Sequence, residues 1–439
     1  MARHRRREPE IARIESFTHD GRGIVAGDGK KVFVAGALEG EKVRFRRRKS
    51  RRNFDEAELL EVLEPSPDRI EARCEAFGRC GGCALQHVSD EQQRQIKSRT
   101  LQDNLQRIGQ VTPQRWLDPV IGPIWNYRRR ARLAVKDVHA KGRVLVGFRE
   151  RHAPYITDMH RCEVLAEPVD SMIDPLSELI GGLSIRTRVP QVEIAVADNA
   201  VAFVFRVLDA PSADDEALLC SFGREHDLRI YLQPGGLDSV TLLHPDTPVD
   251  FLYYDVAEFD VRIAFDAVGF VQVNSEINRR MVSQAVQLLD AGPDDRVLDL
   301  YCGIGNFSLP LAQRAQSVLG VEGQAVLVNA ATENAALNDI DNVSFRQADL
   351  SAIDGSESWL RDGWDKILLD PARDGAAEIV ACMKAIGPRR IVYVSCHPGT
   401  LARDAGTLVN EQGYHCEAAG IIDMFPHTAH VESIAVFNK

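Results

Sequence analysis

Cys396 has the side chain and the local sequence for nucleophilic chemistry. The segment IVYVSCHPGT (391–400) places it at the tip of an apolar, strand-like run, and Pro398 and Gly399 then turn the chain away from the core. A free cysteine is more often a small buried residue. Near a helix N-terminus or a cation, however, its pKa would be lowered and its thiolate would be reactive. We therefore predict a nucleophilic Cys396.

A row of acidic residues follows neighbouring strand-like segments. RVLDLYCGIGNF (296–307) runs from an apolar strand into Gly303 and Gly305, where the backbone can approach a ligand closely. A dinucleotide fingerprint requires a further glycine where Ser308 stands, which disfavours NAD and FAD. Acids at strand ends suit the cationic S-adenosylmethionine better than a pyrophosphate, although each acid alone fits a capping or turn role equally well. These acids are Asp299, Glu322, Asp349 and Asp370.

Three further cysteines lie close together in the segment CEAFGRCGGC. Cys74, Cys80 and Cys83 have C-x5-C-x2-C spacing, and the glycines between them allow the sulfurs to converge. Zinc sites more often pair two C-x2-C units, whereas three close cysteines and a remote one are typical of iron–sulfur proteins. Cys162 in MHRCEVL is the candidate fourth ligand. The alternative is a set of unrelated buried thiols.

Three predicted modules position these residues. Apolar and polar residues alternate between glycine bends over residues 10–64, which predicts a small five-stranded barrel, and the two prolines of EPSPDR (64–69) predict a boundary after it. Residues 70–265 predict an α+β domain with a polar helix near 90–108 and a largely antiparallel sheet. From Ser275 onward, alternating helices and strands predict a doubly wound parallel sheet. The predicted domains are 1–66, 67–268 and 269–439.

Charge is distributed unevenly along the chain. The net charge is −11, yet residues 1–52 contain sixteen Lys or Arg and seven Asp or Glu. This basic end is where a polyphosphate backbone would bind, although a solvated tail explains the first seven residues as well. RFRRRKSRR (44–52) lies within a patterned segment instead. The sequence has no apolar run of membrane-spanning length and no secretory signal pattern, so we expect a cytoplasmic protein without membrane association.

Four motifs, in this order, resemble the uracil-5-methyltransferase family of RNA. They are DLYCGIGNF, LLDPAR, VSCHP and DMFPHTAHVE, and the resemblance extends over nearly the whole chain. It is strongest to the long bacterial enzymes that act on 23S ribosomal RNA. The segment HDGRGIVAGDGKKVFVAGALEGEKVRFR resembles the TRAM module, a small RNA-binding barrel that shorter relatives lack. The expected fold is therefore multidomain α/β, with an OB-like TRAM barrel, a central α+β domain and a Rossmann-like methyltransferase domain.

The resemblance implies a covalent mechanism. Carbon 5 of uracil is a poor nucleophile, so a thiolate first adds to carbon 6 and a base later removes the carbon 5 proton. Cys396 would be the nucleophile and Glu432 the base. His427 and His430 are competitors for the second role, and Glu432 taken alone fits a surface carboxylate of the final strand equally well.

The resemblance also implies a set of cofactor ligands and partners. Tyr301 stands where the family often has phenylalanine, which keeps the aromatic face. A [4Fe–4S] cluster would be held by Cys74, Cys80, Cys83 and Cys162, and the expected protein is a monomer that binds 23S ribosomal RNA but not DNA. The implied contacts to S-adenosylmethionine are Gln272, Tyr301, Asn306, Glu322, Asp349 and Asp370.

Other functions make different demands on the sequence. Radical S-adenosylmethionine methylthiotransferases also combine a TRAM-like module with a cluster, but they require C-x3-C-x2-C spacing. DNA cytosine-5 methylation usually requires a Pro-Cys pair after the fourth strand, which this sequence lacks. A 5-methyluridine enzyme for tRNA or another structured RNA is an alternative within the same chemistry. A non-catalytic iron–sulfur RNA-binding protein is the alternative from another class, and it predicts no role for Cys396.

Overall fold

The computed structural model describes residues 8–18, 20–26, 30–247 and 249–439. The predicted basic tail of seven residues lies outside the described residues, as do positions 19 and 27–29 of the TRAM-like segment. Within the described ranges, no helix is long and apolar enough to cross a membrane. The chain divides into two compact units, so the three predicted domain boundaries stay predictions. Unit 1 comprises Met1–Lys97, Arg149–Thr157 and Phe425–His430, and unit 2 comprises Ser98–Phe148, Asp158–Met424 and Val431–Lys439.

Unit 1 begins with a sheet of short strands. The order along the sheet is β1-β5-β6-β4-β3-β2. The two edge strands, β1 and β2, are separated in the chain only by Ile14 and Glu15. The predicted closure into a barrel stays a prediction. Ile14, Val32, Val34 and Phe45 are buried in the core of this sheet, as the alternation of the sequence predicts. The strands are β1 (Glu10–Arg13), β2 (Ser16–Phe17), β3 (Arg22–Val25), β4 (Lys31–Ala35), β5 (Lys42–Ser50) and β6 (Phe54–Glu64).

The remainder of unit 1 consists mainly of loops. The cysteine loop (residues 74–83) hydrogen bonds to the 149–157 segment, where the Gly81 N–H donates to the Arg149 carbonyl at 2.9 Å. The His427 carbonyl accepts hydrogen bonds from the N–H groups of Ala84 and Leu85 at 2.8 and 2.9 Å. Backbone pairing of this kind joins three distant stretches of sequence into one unit.

Unit 2 contains a mixed sheet that the sequence predicted as largely antiparallel. Helix α1 (Asp90–Asn104) runs from unit 1 into unit 2 and ends in a turn of π-helix, Leu105–Gly109, before the short strand β7 (Arg115–Trp116). The central sheet has the order β13-β12-β11-β10-β8-β9, and every pair except β11 and β12 is antiparallel. Its elements are β8 (Arg130–Val138), β9 (Arg143–Gly147), α2 (Ile173–Gly182), β10 (Gln191–Val196), β11 (Val201–Arg206), α3 (Ala213–His226), β12 (Leu228–Gln233) and β13 (Thr241–His244).

A hairpin and a helix lead into the last sheet. The hairpin consists of β14 (Leu252–Val256) and β15 (Val261–Phe265), and the helix is α4 (Ser275–Leu289). The Asn274 side chain caps α4 by accepting a hydrogen bond from the Ile277 N–H at 3.2 Å. The apolar face of α4 is buried, with Ile277 wholly enclosed.

The last sheet is doubly wound, as the sequence predicted. Its order is β18-β17-β16-β19-β20-β22-β21-β7; the first five strands are parallel and β22 is antiparallel to both of its neighbours. The order of the strands reverses between β16 and β19: β17 and β18 lie on one side of β16, and β19 and β20 lie on the other. Ligands bind at this point in such sheets. The elements are β16 (Arg296–Leu300), α5 (Ser308–Ala312), β17 (Ser317–Glu322), α6 (Ala325–Leu337), β18 (Val343–Gln347), β19 (Lys366–Leu369), α7 (Ala377–Ile386), β20 (Arg390–Ser395), α8 (Pro398–Asn410), β21 (His415–Ile422) and β22 (Glu432–Asn438).

Candidate active site

The loop after β16, residues 301–306, is named here the cofactor loop. Three of its residues are left-handed, with φ of 64° at Tyr301, 55° at Gly303 and 93° at Gly305. Tyr301 is held in this costly conformation by a 2.9 Å hydrogen bond from its N–H to the Val321 carbonyl on β17. A Cβ atom on Gly303 would meet no described atom within 4 Å. The loop therefore offers bare backbone to a ligand.

Glu322 and Asp349 lie beside this loop at the ends of β17 and β18. Glu322 accepts hydrogen bonds from the N–H groups of Gly303 at 3.3 Å and Gln324 at 3.1 Å, so it ties β17 to the cofactor loop. Asp349 is exposed. The Ser351 hydroxyl and N–H donate to it at 2.6 and 3.0 Å and lower its pKa. Asp349 is consequently ionised at neutral pH.

Asp299 differs from the other acids because it is sealed from solvent. It is 0% exposed, and the Ser308 hydroxyl donates to its Oδ2 atom at 2.5 Å. Its Oδ1 atom has no hydrogen-bond partner among the described residues. Burial, followed by the charges of Asp370 and Glu322, raises the pKa of Asp299 to about 7. Asp299 thus supports the start of α5 from inside the fold instead of facing a ligand directly.

Cys396, Glu432 and Asp370 converge at the other end of the same rim. Leu369 on β19 pairs with Tyr393 on β20, and Ser395 on β20 pairs with Ser433 on β22. The residues that follow or precede these pairs, Asp370, Cys396 and Glu432, therefore lie on three adjacent strands at one edge. Glu432 is only 4% exposed, so the alternative of a surface carboxylate is wrong.

The predicted lowering of the Cys396 pKa is also wrong in this structure. Burial, then the nearby carboxylates of Glu432 and Asp370, raise the pKa of Cys396 to about 11, and Arg373 opposes this rise only partly. Burial also raises the pKa of Asp370 to about 7 and that of Glu432 well above its usual value. The three groups therefore favour their neutral forms, because ionising any of them costs free energy in a poorly solvated place beside the others.

A helix N-terminus lies directly beside the thiol. Cys396 precedes His397, the residue that caps α8 by accepting a 3.2 Å hydrogen bond from the Thr400 N–H to its Nδ1 atom. Pro398 occupies the first turn. The positive end of α8 favours a thiolate at Cys396, but burial and the two carboxylates outweigh this effect.

His427 is accounted for by structural contacts. It is 1% exposed, and its N–H and ring Nδ1 atom both bond to the Gln93 side chain, at 2.9 and 3.2 Å. His430 is exposed and its ring lies 5.3 Å from that of Phe425. His427 is thus committed to holding unit 1 together, which favours Glu432 as the base, while His430 stays an alternative.

Gln272 and Asn306 occupy the side of the site that faces the hairpin. Gln272 lines a shallow, partly open pocket together with residues of the hairpin, α4 and the central sheet. Asn306 exchanges hydrogen bonds with Tyr254 and Asn278. The sequence analysis missed these two partners, since they lie 52 and 28 residues from Asn306 and belong to no motif. The pocket is lined by Arg129, Val196, Tyr254, Phe265, Val271, Gln272, Ser275 and Asn278.

The cysteine loop partly encloses its thiols. Cys80 is buried and Cys74 and Cys83 are half-buried in unit 1, and Cys162 is buried in unit 2. The Gly82 N–H donates to the Cys80 sulfur at 3.4 Å. Arg151 donates to the Cys83 carbonyl and lies near both of these sulfurs, which offset the lowering of its pKa by burial. In the part of the chain that the structure describes, no group of three or more His, Cys, Asp or Glu side chains is arranged to hold a metal ion.

The basic stretch of β5 is largely matched by acids of β6. Arg44 pairs with Glu61 at 2.5 Å, Arg48 with Glu58 at 2.5 Å, and Arg47 pairs with Asp55 at 2.8 Å. Near the central sheet, Arg129 and Arg132 of the segment RRRAR (128–132) pair with Asp198 and Glu193. The Arg44–Glu61 and Arg48–Glu58 pairs are exposed. Exposed ion pairs contribute little stability, so phosphates can replace these two carboxylates at small cost.

Comparisons with known proteins identify similar chains. A profile of the tRNA (uracil-5-)-methyltransferase family matches residues 252–439, beginning at the hairpin. The chain is 50% identical to the 23S rRNA (uracil(1939)-C(5))-methyltransferase of Alkalilimnicola ehrlichii, over 100% of this chain and 99% of that protein. It is also 50% identical to the protein of the same description from Methylococcus capsulatus, over 98% and 97% of the two chains.

A solved structure shares the fold of nearly the whole chain. The tRNA (uracil-54, C5)-methyltransferase of Pyrococcus abyssi, in complex with S-adenosyl-L-homocysteine, superposes with a TM-score of 0.75. The match covers 98% of this chain and 100% of the other, at 23% identity. At this identity the likeness establishes the fold alone.

Proposed function

Because the chain belongs to the family of 23S rRNA (uracil-C5)-methyltransferases, we propose that it transfers a methyl group from S-adenosylmethionine to carbon 5 of a uridine in 23S ribosomal RNA. Cys396 is the nucleophile and Glu432 the base. The observation that carries this assignment is the meeting of Cys396, Glu432 and Asp370 at the ends of three adjacent strands, on the rim that also bears the cofactor loop.

The two side chains divide the covalent work. The Cys396 thiol releases its proton to solvent, its sulfur adds to carbon 6 of the uracil, and the ring electrons move to carbon 5 and the carbonyl oxygen. When bound, S-adenosylmethionine supplies an electrophilic methyl group and a positive charge. Once carbon 5 carries the methyl group, the Glu432 carboxylate removes its proton, the C5–C6 double bond re-forms, and Cys396 leaves as a thiolate.

The raised pKa values of the resting site fit this sequence of steps. A neutral thiol beside neutral acids avoids three uncompensated charges in a poorly solvated place. A cation bound nearby lowers the pKa of Cys396, Asp370 and Glu432 together, since it stabilises each charged form. A bound methyl donor would supply such a positive charge.

The cofactor side of the rim would hold the methyl donor. Glu322 and Asp349 follow β17 and β18, where they can accept hydrogen bonds from ribose hydroxyls or meet the cationic end of the ligand. Gln272, Asn306 and the aromatic ring of Tyr301 complete the proposed contacts. Asp370 lies between this side and Cys396, so it can contact both substrates.

Recognition of the RNA would use unit 1 and a flipped base. The TRAM-like barrel carries the arginines of β5, whose carboxylate partners can be exchanged for phosphates. Carbon 6 is inaccessible in stacked RNA, so the target uridine must leave its stack to reach Cys396. We assign the substrate to 23S RNA and treat tRNA as the alternative that the assay below separates.

A [4Fe–4S] cluster on Cys74, Cys80, Cys83 and Cys162 is part of the proposal. The N–H donor to the Cys80 sulfur and the nearby Arg151 suit anionic thiolate ligands. Iron and sulfide analysis of anaerobically purified protein should give about four irons per chain. Cys80→Ser and Cys162→Ser should lose iron, whereas Cys220→Ser is the matched control that keeps it. Equal iron in all variants would reject this ligand set.

The decisive experiment for the function uses RNA with 5-fluorouridine at the target position. Fluorine at carbon 5 cannot leave as a proton does, so the Cys396 adduct should accumulate as a protein–RNA species that survives denaturation. Transcripts of 23S RNA and of tRNA, offered with labelled S-adenosylmethionine, then identify the substrate. Labelling of tRNA alone would overturn the assignment of the RNA, and the absence of any adduct would overturn the covalent mechanism.

A further inference from the structure

The side chain of Asn306 is held by two residues from outside the cofactor loop. Its Oδ1 atom accepts hydrogen bonds from the Tyr254 hydroxyl and from Asn278 Nδ2, each at 3.0 Å. Its Nδ2 atom donates to Asn278 Oδ1, also at 3.0 Å. Tyr254 and Asn278 are 7% and 2% exposed, so these bonds are shielded from water.

This arrangement determines which way the Asn306 amide points. In the observed orientation the buried Tyr254 hydroxyl donates to Asn306 Oδ1. With both amides reversed together the pair would stay matched, but the Tyr254 oxygen would accept from Asn306 and its own hydrogen would have no acceptor among the described residues. One hydrogen of Asn306 Nδ2 is used in that pair. Among the described residues no second acceptor lies within hydrogen-bond distance of this nitrogen, so its other hydrogen is available to a ligand.

The hairpin that carries Tyr254 is bound along β15 to residues of α6 and its C-terminal end. The Asn334 side chain accepts from the Ala264 N–H at 2.8 Å and donates to the Ala264 carbonyl at 3.1 Å, as a neighbouring strand would. The same Asn334 Nδ2 atom donates to the Ile304 carbonyl of the cofactor loop at 3.1 Å. Asn338 bonds to Arg262 in a parallel manner. The hairpin and the cofactor loop are consequently held to α6 by one asparagine.

We propose that Tyr254 and Asn278 are positioning residues that fix the Asn306 carboxamide with its free N–H directed toward the methyl donor. The inference rests on the proposed function, in which Asn306 contacts S-adenosylmethionine. Without these two residues the amide can rotate, and an oxygen then faces the ligand for part of the time. Their effect should therefore appear in the affinity for the cofactor and act through Asn306.

The test measures S-adenosylhomocysteine binding to the full-length protein by calorimetry. Tyr254→Phe removes one hydroxyl and keeps the ring, and we expect Kd to rise about five-fold. Tyr253→Phe is the matched control on the same strand, because the Tyr253 ring packs against Arg262 while its hydroxyl makes no hydrogen bond among the described residues. It should bind like the wild type. For Tyr254→Phe, KM for S-adenosylmethionine should rise while kcat at saturation stays constant.

A double-mutant cycle separates positioning from a merely structural role. If Tyr254 acts through Asn306, Tyr254→Phe should add nothing to the loss already caused by Asn306→Ala. An equal additional loss in the Asn306→Ala background would overturn the inference, as would a Tyr254→Phe protein that binds like Tyr253→Phe. If Asn306→Ala itself binds with wild-type affinity, the proposed cofactor role of Asn306 fails, and the inference fails with it.

Discussion

The two sides of the catalytic rim carry the same residue types in opposite electrostatic states. On the cofactor side, Asp349 is exposed and its pKa is lowered by hydrogen bonds from Ser351. On the nucleophile side, burial raises the pKa of Asp370 and Glu432, and with them that of the Cys396 thiol. The difference teaches that a carboxyl group at a strand end has no fixed role. Its solvation decides whether it is ionised and can bind a cation, or is protonated and neutral.

The two sides also differ in how their side chains are supported. Glu322 receives hydrogen bonds from backbone N–H groups of its own βαβ unit, so its support is local. Cys396 and Glu432 are 36 residues apart in the sequence and are brought together by the pairing of β20 with β22. The nucleophile side is therefore the more dependent on tertiary structure.

The largest effect should come from removing the nucleophile. Cys396→Ala should lower turnover by about four orders of magnitude or more, since carbon 5 is then never activated. Its affinity for S-adenosylhomocysteine should stay unchanged, because the cofactor side is intact. Single-turnover kinetics and calorimetry measure the two quantities. Turnover close to the wild type would remove the distinction between the two sides and would support the non-catalytic alternative.

Glu432→Gln should separate addition from elimination. Loss of the base should slow turnover about a thousand-fold, within the range for general bases. The adduct should still form and persist, because only proton removal fails. Denaturing electrophoresis with unmodified RNA measures the trapped species, and wild-type protein is the control that shows none. His430→Gln should retain turnover; if it traps the adduct instead, His430 is the base.

Asp299 precedes the cofactor loop but is buried, so it tests whether burial, and not the side of the rim, raises the pKa of a carboxyl group. Its folded pKa of about 7 lies above the value of an unfolded aspartate, so its contribution to stability is present at acid pH and is lost as pH rises toward 7. We expect the free energy of unfolding to fall over this window by on the order of 1 kcal/mol per pH unit. Asp299→Asn should remove its own part of the pH dependence measured by urea unfolding, whereas the parts from the buried Asp370 and Glu432 should stay.

Asp349→Asn is the matched control for this measurement. Because Asp349 is exposed, its removal should leave the loss of stability between pH 4 and 7 as it is in the wild type. An Asp299→Asn profile identical to that of the wild type over that window would show that Asp299 is ionised in the folded protein despite its burial.

The alkylation rate of the Cys396 thiol measures whether the nucleophile side is neutral. With a pKa of about 11, Cys396 should be alkylated slowly at pH 8, and faster as pH rises. Asp370→Asn removes a carboxylate that raises this pKa, so the rate at pH 8 should increase several-fold. Peptide mass spectrometry follows each cysteine, and the buried Cys416 serves as an internal control. An unchanged rate would show that Asp370 does not act on the thiol.

The smallest effect should be on the exposed acid of the cofactor side. Asp349→Asn should weaken S-adenosylhomocysteine binding about three-fold, because an exposed hydrogen bond to a charged group contributes little net free energy. Turnover at saturating cofactor should not change. A large loss of turnover would mean that Asp349 takes part in the chemistry, and the two sides would then no longer differ in kind.

Much of the fold and of the rim follows from local sequence patterns. The alternation around Val32 and Val34 and the apolar strands before Asp299 and Cys396 predicted a small sheet and a doubly wound sheet, because side-chain periodicity is a local property. The acids of the cofactor side follow the same logic, since parallel strands end at one edge. Predicted roles for the cysteine cluster and the TRAM-like barrel stay predictions.

The electrostatic state of the site could not be predicted in this way. The helix N-terminus beside Cys396 is visible in the sequence and suggested a lowered pKa, but Glu432 and the surrounding core, which raise it, come from distant segments. Tyr254 and Asn278 could not be predicted for the same reason, because their hydrogen bonds to Asn306 join distant parts of the chain that share no motif.

The sequence by itself determined which residues stand at the ends of the strands, because an apolar run and the polar residue or glycine that ends it are visible within a few residues of each strand end. Only the tertiary structure decided which of those residues are neutral, which are ionised and which side chains hold them in place. Solvation and Coulomb interactions depend on every atom nearby, whatever its position in the chain.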